Sequence, residues 1–359
     1  MPSGFPYRAL AAWYRGASRR LPWRKDPSPY KVWVSEIMLQ QTRVQNVIPY
    51  FERFLKRFPD VRTLALAGEQ DVVRLWSGLG YYSRVRNLRR AAKIVLERHG
   101  GVLPRNRAEL LALPGIGPYS AGAILSIAYG IPEPIMDGNV RRVLSRFFLV
   151  RPDRLLWRQA GRLVAGCGSP SEFNQSLMEL GALVCAPKQP ACGACPLRRA
   201  CRARKRGLTE SYPRRGRPQK TVRRSYVLAL LRRESRLRPG SRLLLLRRSG
   251  RRKWLKGLWE FPMARVPKGP ESGGSRDGLE RWSERFGRDL GTAVRLDSFL
   301  GRVRHAITRH LLTVQVFSGT ASGEPARGRA QAAWASPREL ERYGGSSLSR
   351  KALALLPPI

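Results

Sequence analysis

Two carboxylates lie in sequence settings that suit acid–base chemistry. Glu36 sits in the mostly apolar stretch VWVSEIMLQQT (32–42), where burial would raise its pKa towards the value that a general acid needs near neutral pH. Asp137 precedes the apolar-periodic stretch NVRRVLSRF, where it either caps a helix or faces a substrate. Two acids in different environments can divide the acid and charge-stabilising roles, as they do in glycoside hydrolysis. If Glu36 is instead a structural acid, Ser35 or Thr42 is its expected hydrogen-bond partner.

A glycine turn lies between these two acids. In LPGIGPYSAGAI (113–124), Gly115 and Gly117 flank one apolar residue between helical stretches. A phosphate oxygen can approach bare glycine backbone at the N-terminal end of the next helix, which predicts a DNA-backbone contact. A plain structural turn between two helices is the alternative, because such turns are common.

Four of the five cysteines crowd into 17 residues with the spacing C-x6-C-x2-C-x5-C. They are Cys185, Cys192, Cys195 and Cys201. Four thiolates suit tetrahedral Zn²⁺ or a [4Fe–4S] cluster, and the compact, uneven run favours the cluster over two separated zinc-binding pairs. A disulfide framework is disfavoured because the chain shows no signal peptide. Cys167 lies outside the pattern and is expected to be an inert, buried thiol.

The charge balance indicates a polyanionic partner. The chain of 359 residues has 68 Lys and Arg against 25 Asp and Glu, a formal charge of +43, so nucleic acid is favoured. No apolar run approaches the roughly 18 residues that a membrane-spanning helix needs, and the N-terminus lacks the pattern of a secretory signal. A cytoplasmic protein, associated with the nucleoid in a bacterium, is the expectation.

The length predicts two domains, which hydrophobic periodicity places as follows. Residues 1–201 are predicted to form an all-α domain, and 202–224, rich in Lys and Arg, a basic linker. Residues 225–359 are predicted to form an α+β domain. Its predicted strands are 226–231, 242–248 and 311–319, and its predicted helix is 277–291.

Taken in order, these motifs resemble the adenine DNA glycosylase family of the endonuclease III superfamily. The resemblance rests on WVSEIMLQQT, GLGYYSRVRNL (78–88), LPGIGPYSAGAI, MDGNVRRVL, FNQSLMELGALVC (173–185) and the four-cysteine loop. GLWEFP (257–262) resembles the Nudix-like C-terminal domain of the same family. The match covers nearly the whole chain.

The resemblance implies a multi-domain protein with an all-α helix-hairpin-helix glycosylase domain, an iron–sulfur loop and an α+β Nudix-like domain. It implies hydrolysis of the N-glycosidic bond of adenine mispaired with 8-oxoguanine or G in duplex DNA, after the adenine is flipped out of the stack. It also implies one [4Fe–4S] cluster and a monomer, with replication or repair proteins as further partners.

Residue roles follow from position in the family's motifs. The resemblance implies that Glu36 protonates adenine N7 and that Asp137 stabilises the oxocarbenium-like sugar, with Tyr119 and Asn139 in support. Residues implied to contact the adenine or the duplex are Trp23, Arg24, Gln175, Gln41 and Tyr81.

Two departures from related motifs bear on activity. Bifunctional relatives carry a Schiff-base lysine where this chain has Tyr119, and no lysine occurs anywhere in 94–187, which favours a monofunctional hydrolase over a lyase. The family's Phe-Ser-His lesion-sensing motif reads Ile307-Thr308-Arg309 here. Thr308 keeps a hydroxyl that could contact the modified guanine.

Three other functions fit parts of the sequence. A Nudix pyrophosphohydrolase needs a glutamate-rich helix that holds Mg²⁺, and 277–291 offers only Glu280 and Glu284, in the wrong pattern. A DNA-binding module without catalysis is disfavoured because Glu36 and Asp137 both occur in matching motifs. The nearest rival is an endonuclease III-like glycosylase and lyase acting on oxidised pyrimidines, against which the extension after the linker counts.

Overall fold

The computed structural model divides into two compact units. It describes residues 4–213, 220–233, 242–248, 257–267, 275–326, 331–336, 339–343 and 345–357. The first unit comprises Met1–Ala67 with Ser83–Arg217, and the second comprises Gly68–Tyr82 with Pro218–Ile359. The second boundary falls inside the predicted linker 202–224, of which 214–219 lie outside the described residues.

The first unit is helical, as predicted for residues 1–201. The helices of the N-terminal two thirds are α1 (Tyr7–Ala17), α2 (Pro22–Lys25), α3 (Pro29–Leu39), α4 (Val44–Arg57), α5 (Val61–Leu66), α6 (Glu69–Trp76), α7 (Ser83–His99), α8 (Arg107–Ala112), α9 (Pro118–Ala123), α10 (Gly138–Phe148), α11 (Asp153–Ala165), α12 (Pro170–Leu183) and α13 (Arg202–Lys205). All of these except α6 belong to the first unit. A π-helical turn, Ile124–Ala128, continues α9.

Helix α3 forms the centre of this unit. The Ser28 side chain caps it by accepting a hydrogen bond from the Lys31 amide, and Pro29 occupies the first helical position, where a missing N–H costs nothing. Its side chains from 32 to 38 are all buried, so apolar residues surround the helix instead of lining one stripe. Glu36 is therefore carried into the interior by its own helix.

Helices α10 and α12 approach each other closely at Gly181. A Cβ atom on Gly181 would lie 2.5 Å from Cβ of Asn139 and 2.9 Å from its Cα, distances that no side chain tolerates. Glycine therefore lets the first turn of α10 pack directly against the backbone of α12. The position of that first turn is consequently set by backbone packing.

The second unit is an α+β domain built on a mixed sheet, as predicted. Its strands are β1 (Val222–Arg233), β2 (Leu243–Arg247), β3 (Trp259–Glu260), β4 (Met263–Arg265), β5 (Val294–Ile307), β6 (His310–Ala321) and β7 (Ala332–Ala335), and its C-terminal helices are α14 (Arg276–Leu290) and α15 (Ser347–Leu353). Among the described strands the order is β3-β2-β1-β6-β5, with β4 paired to β1 and β7 paired to β2. β1 and β6 run parallel, and the other pairs are antiparallel.

Two of the predicted strands lie within β1 and β6, the third extends one residue beyond each end of β2, and the predicted helix matches α14 with an offset of one residue. Strand β5 was not predicted, because two register shifts, at Leu296/Ser298 and Phe299/Gly301, interrupt the alternation that would reveal it.

Both faces of this sheet are covered. Alternate residues of β1 divide between two clusters, Leu228 and Leu230 on one face and Val227 and Ala229 on the other. The second face packs against α14 through apolar side chains such as Phe286. Within the described part of the chain, no helix is long and apolar enough to cross a membrane.

Candidate active site

A cavity of about 530 Å³ opens in the helical unit. It is lined by residues of α2, α3, α9 and α12 and by the start of α10. Eight of the predicted site residues line it: Trp23, Arg24, Glu36, Gln41, Tyr119, Asp137, Asn139 and Gln175. The fold thus gathers both carboxylates and their predicted neighbours around one cavity.

Glu36 is buried at this cavity, with 4% of its surface exposed. The Tyr119 hydroxyl donates a hydrogen bond to its Oε2 at 2.5 Å. The pKa of Glu36 is raised to about 7, chiefly by burial and also by the charge of Asp137, while the hydrogen bond from Tyr119 and the charge of Arg24 oppose the rise. Near neutral pH, Glu36 therefore interconverts between a proton donor and a carboxylate.

The expectation that Ser35 or Thr42 satisfies Glu36 was wrong. The Ser35 hydroxyl donates to the Val32 carbonyl at 2.8 Å, one turn back in its own helix, and the Thr42 hydroxyl donates to the Gln40 carbonyl. Local backbone carbonyls compete successfully for short hydroxyl side chains. Glu36 is left with a partner 83 positions away in the sequence, Tyr119.

Asp137 both caps α10 and lines the cavity, so the two interpretations of this residue are compatible. Its Oδ1 accepts a hydrogen bond from the Val140 amide at 2.7 Å, and its Oδ2 accepts one from Asn139 Nδ2 at 3.1 Å. Burial raises the pKa of Asp137, and these hydrogen bonds oppose the rise by favouring the carboxylate. The carboxylate is fixed in place by two donors of its own helix.

Asn139 is held in turn by an arginine that sequence reasoning missed. Arg142 donates from Nη2 to Asn139 Oδ1 at 2.8 Å and to the Gly181 carbonyl at 2.6 Å, and from Nε to the Cys185 carbonyl at 2.6 Å. The Arg142 guanidinium therefore links Asn139, which supports Asp137, to Cys185, the first residue of the cysteine loop. In so arginine-rich a chain, no sequence signal separates Arg142 from its neighbours.

The rest of the cavity wall presents an aromatic ring, an amide and two guanidinium groups. Trp23 packs edge-on against Phe51, with ring centroids 5.4 Å apart. The Gln175 amide oxygen accepts a hydrogen bond from the Tyr14 hydroxyl at 3.3 Å. Arg24 is anchored by Glu179, which was not singled out from the sequence, although it lies in the recognised motif FNQSLMELGALVC.

The glycine turn forms as expected between α8 and α9. Gly115 has φ +84°, and a Cβ there would lie 2.8 Å from Cβ of Asn87, so both conformation and space require glycine. Gly117 immediately precedes α9 and has open space where a side chain would stand. The contact between this turn and a DNA phosphate stays a prediction.

Three residues predicted to contact DNA share an uncommon backbone conformation. Gln41, Tyr81 and Thr308 have φ values of 57°, 48° and 51°, in the left-handed region. Gln41 belongs to the helical unit and lines the cavity, whereas Tyr81 and Thr308 belong to the second unit. Tyr81 is 39% exposed, and Thr308 occupies the turn between β5 and β6.

The four clustered cysteines lie in the segment between α12 and α13 and at the start of α13. None of them forms a disulfide, and all are partly exposed. Burial, followed by the charges of the other three thiolates, raises the pKa of Cys195 to about 11. Arg146 donates to Cys185 Sγ at 3.2 Å and to the Ala186 carbonyl at 2.7 Å. Mutually interacting thiols supported by an N–H donor fit a thiolate-ligated cluster.

Two further observations concern metal ligands. Over the described ranges, no group of three or more His, Cys, Asp or Glu side chains stands ready to hold a single metal ion. Cys167 lies outside the loop, partly buried, and its thiol donates to the Val164 carbonyl at 3.0 Å.

Comparisons with known proteins agree with this architecture. Residues 34–161 match the HhH-GPD superfamily of base excision DNA repair proteins, and residues 236–355 match the NUDIX domain. Over 56% of this chain and 95% of the other, the structure is similar to that of a thermostable thymine-DNA glycosylase, with a TM-score of 0.53 and 26% sequence identity. The likeness supports the helix-hairpin-helix fold of the first unit.

Two relatives named adenine DNA glycosylase are more similar in sequence. The protein from Buchnera aphidicola subsp. Baizongia pistaciae is 42% identical over 203 residues, which are 55% of this chain and 58% of the relative, so the chain covers less than two thirds of it. The protein from Mus musculus is 37% identical over 371 residues, covering 88% of this chain and 71% of the relative. The resemblance found in the sequence motifs is thereby confirmed: the chain belongs to the adenine DNA glycosylase family.

Proposed function

We propose that this protein is a monofunctional adenine DNA glycosylase, which hydrolyses the N-glycosidic bond of adenine mispaired with 8-oxoguanine or G in duplex DNA. The observation that carries the proposal is the joint placement of Glu36, Tyr119 and Asp137 at one cavity, in a chain of this family. Because a glycosidic bond is hidden inside the base stack, the adenine must be flipped out to reach that cavity.

Glu36 is the general acid. With a pKa of about 7, it holds a proton in a large fraction of molecules at neutral pH and gives it to adenine N7. Protonation makes the base a leaving group, so the bond between C1′ and N9 breaks and its electron pair leaves with adenine. Water then adds at C1′, its proton restores the acid, and the products are free adenine and an abasic site.

Asp137 stabilises the positive charge that develops on the sugar. Its carboxylate is fixed by the Val140 amide and by Asn139, so it needs no rearrangement as the charge forms. Because Tyr119 stands where bifunctional relatives carry lysine, no amine is available there to form a Schiff base, and strand cleavage is not part of the reaction.

Base recognition is assigned to the cavity wall. Trp23 offers an aromatic face, Arg24 a guanidinium and Gln175 an amide, which together can contact the face and edge of a flipped purine. Gln41 and Tyr81 contact the duplex where the adenine has left the stack. Gly115 and Gly117 bind a phosphate through their backbone, which positions the strand without reading its sequence.

We assign a [4Fe–4S] cluster to Cys185, Cys192, Cys195 and Cys201. When bound, such a cluster would cross-link the loop and contribute structure rather than acid–base chemistry. Support comes from the free state of all four thiols and from the Arg146 hydrogen bond to Cys185. Iron and sulfide analysis tests the assignment: about four of each per chain is expected, and one zinc ion would overturn it.

The formal charge of +43 supports duplex DNA as the partner. Affinity for a duplex should fall steeply as salt rises, because neutralised phosphates release counterions. Thr308 is the residue of the second unit proposed to contact 8-oxoguanine. A monomer suffices for this function, and replication or repair proteins are proposed as further partners.

Single-turnover base release tests the function. Duplexes with A opposite 8-oxoguanine, A opposite G, or thymine glycol opposite A are incubated with wild type and Glu36→Gln, and strand breaks are read with and without alkali. Adenine release that needs alkali for breakage and disappears in the variant is expected. Nicking at thymine glycol without alkali, with adenines left intact, would favour the endonuclease III-like alternative.

A further inference from the structure

A third carboxylate lies in the wall of the cavity. Glu179, on α12, is fully buried, and both of its oxygens bind guanidinium groups. Its Oε1 accepts from Arg19 Nε at 2.7 Å, and its Oε2 accepts from Arg19 Nη2 and Arg24 Nη2, both at 2.8 Å. The Arg19 amide adds a fourth hydrogen bond at 2.9 Å. Neither of the roles assigned to Glu36 and Asp137 uses this group.

The network fixes both arginines. Arg24 also donates to the Arg19 carbonyl at 3.1 Å, and its guanidinium lies 5.6 Å from the ring centre of Tyr14. The hydrogen bonds of Arg19 and Arg24 lower the pKa of Glu179 to about 2, despite its burial, so it is ionised at every pH at which the protein works. One permanent negative charge is therefore held between two permanent positive charges.

These charges matter because Arg24 is one of the charged groups that act on Glu36. The groups that act on its proton are Tyr119 from α9, Asp137 at the start of α10 and Arg24 from α2. Arg24 is the cation among them, and it favours the ionised form of Glu36. A guanidinium whose charge is balanced by a carboxylate exerts a weaker field on its neighbours than one that is unpaired.

We propose that Glu179 is a positioning residue that fixes Arg19 and Arg24 at the cavity wall and balances their charge, so that the guanidiniums can face the flipped base without favouring loss of the proton from Glu36. The inference rests on the proposed function, in which Glu36 is the acid. It adds that the acid depends on a third carboxylate, which acts through the two arginines that it binds.

The test is the pH profile of single-turnover adenine release by full-length Glu179→Gln. The amide keeps one hydrogen-bond acceptor but loses the balancing charge, so the midpoint above which the rate falls should move to lower pH. The rate at pH 7.5 should drop about tenfold for each unit by which the midpoint moves, while the rate at pH 5.5 changes little. A loss of activity equal at every pH would indicate a structural role alone and would overturn the proposal.

Glu172→Gln is the matched control. Glu172 lies on the same helix and pairs at 2.7 Å with Arg15, in an ion pair whose arginine is exposed and whose glutamate is only partly buried. Its removal should leave the pH midpoint unchanged. An equal shift in this variant would mean that general charge, rather than the buried network, controls Glu36.

Arg24→Gln provides an independent test in case Glu179→Gln does not fold. It removes the cation that acts on Glu36 and leaves Glu179 paired with Arg19, so the midpoint should move to higher pH, opposite to the shift in Glu179→Gln. An unchanged midpoint, or a shift to lower pH, would overturn the proposal. Wild-type protein that releases no adenine at any pH would instead refute the proposed function itself.

Discussion

The cavity of the helical unit and the β5–β6 turn of the second unit are organised by different physical means. In the cavity, Glu36 is buried and accepts a hydrogen bond from Tyr119, and Asp137 accepts hydrogen bonds from Val140 and Asn139. The neighbouring Arg24 is held by a further hydrogen bond to Glu179. At the turn, Thr308 is exposed, and its hydroxyl donates at 2.7 Å to the carbonyl of its own neighbour, Ile307. The difference is that the carboxylates of the cavity belong to a hydrogen-bond network, whereas the proposed lesion contact rests on one exposed hydroxyl with a single local partner.

Glu36→Gln should have the largest effect on the cavity side of this comparison. Loss of a general acid typically costs about 10² to 10⁴ in rate, so adenine release should fall by that factor. Duplex binding should be retained, which separates catalysis from recognition. A variant that keeps most of its single-turnover rate would remove Glu36 from the acid role.

The same substitution should stabilise the protein at high pH. The pKa of Glu36 is about 7 in the folded state against an ordinary value of 4.5, so the ionised form is disfavoured by folding and stability is lost as the pH rises through 7. An amide does not ionise, so Glu36→Gln should gain up to roughly 3 kcal/mol at pH 8 from this difference. Denaturant unfolding of both proteins at pH 5 and pH 8 measures the gain, and an equal difference at the two pH values would contradict it.

Asp137→Asn should have the next largest effect on the rate of adenine release and should separate the two functions of this residue. Asparagine caps helices about as well as aspartate, so the free energy of unfolding should change by less than about 1 kcal/mol. Loss of the charge should still reduce adenine release by about 10²-fold or more, because the developing sugar cation loses its counter-charge. If the unfolding temperature and the rate of adenine release fall together, Asp137 acts mainly through the helix cap and not through its charge.

The pH dependence of the wild type is the fourth prediction. Because the acid must hold its proton, the single-turnover rate should be flat below about pH 6 and fall tenfold per pH unit well above 7. Thr308→Ala should leave this profile intact, since the turn has no part in the acid chemistry. A rate that rises through pH 7 would require Glu36 to act as a base.

Thr308→Ala should have the smallest effect and should be confined to the choice of the opposite base. A neutral hydrogen bond contributes about 0.5 to 1.5 kcal/mol, so the preference for A opposite 8-oxoguanine over A opposite G should fall by roughly 2- to 13-fold. Thr308→Ser keeps the hydroxyl and serves as the control. An equal loss on both duplexes would show that the turn supports folding or general DNA affinity instead of lesion reading.

The sequence predicts the elements that form the cavity better than the contacts inside it. The helical periodicity and the caps at Ser28 and Asp137 are local signals, and the buried position of Glu36 follows from its apolar neighbours. The partner of Glu36 could not be found in this way, because Tyr119 reaches it only after several helices have packed. Local sequence patterns predict which residues lie near a site, whereas tertiary packing determines which of them form hydrogen bonds with one another.

The roles of individual arginines were the least predictable feature. Arg142 and Arg146 lie one helical turn apart on α10 and bond the cysteine loop, but arginine is frequent along the whole chain. In the second unit, β5 escaped prediction because its two register shifts break the alternation of side chains. The two failures have different origins: the arginine contacts depend on partners distant in the sequence, whereas β5 lacks a regular local pattern.

The left-handed backbone at Gln41, Tyr81 and Thr308 has a consequence for the evolution of this protein. Each side chain is held in a conformation that glycine or asparagine adopts more cheaply, at a cost of order 1 kcal/mol or more per residue. A laboratory selection for thermal stability alone should therefore replace these three residues early. Given the DNA contacts proposed for them, the selected proteins should be more stable and have lower affinity for DNA.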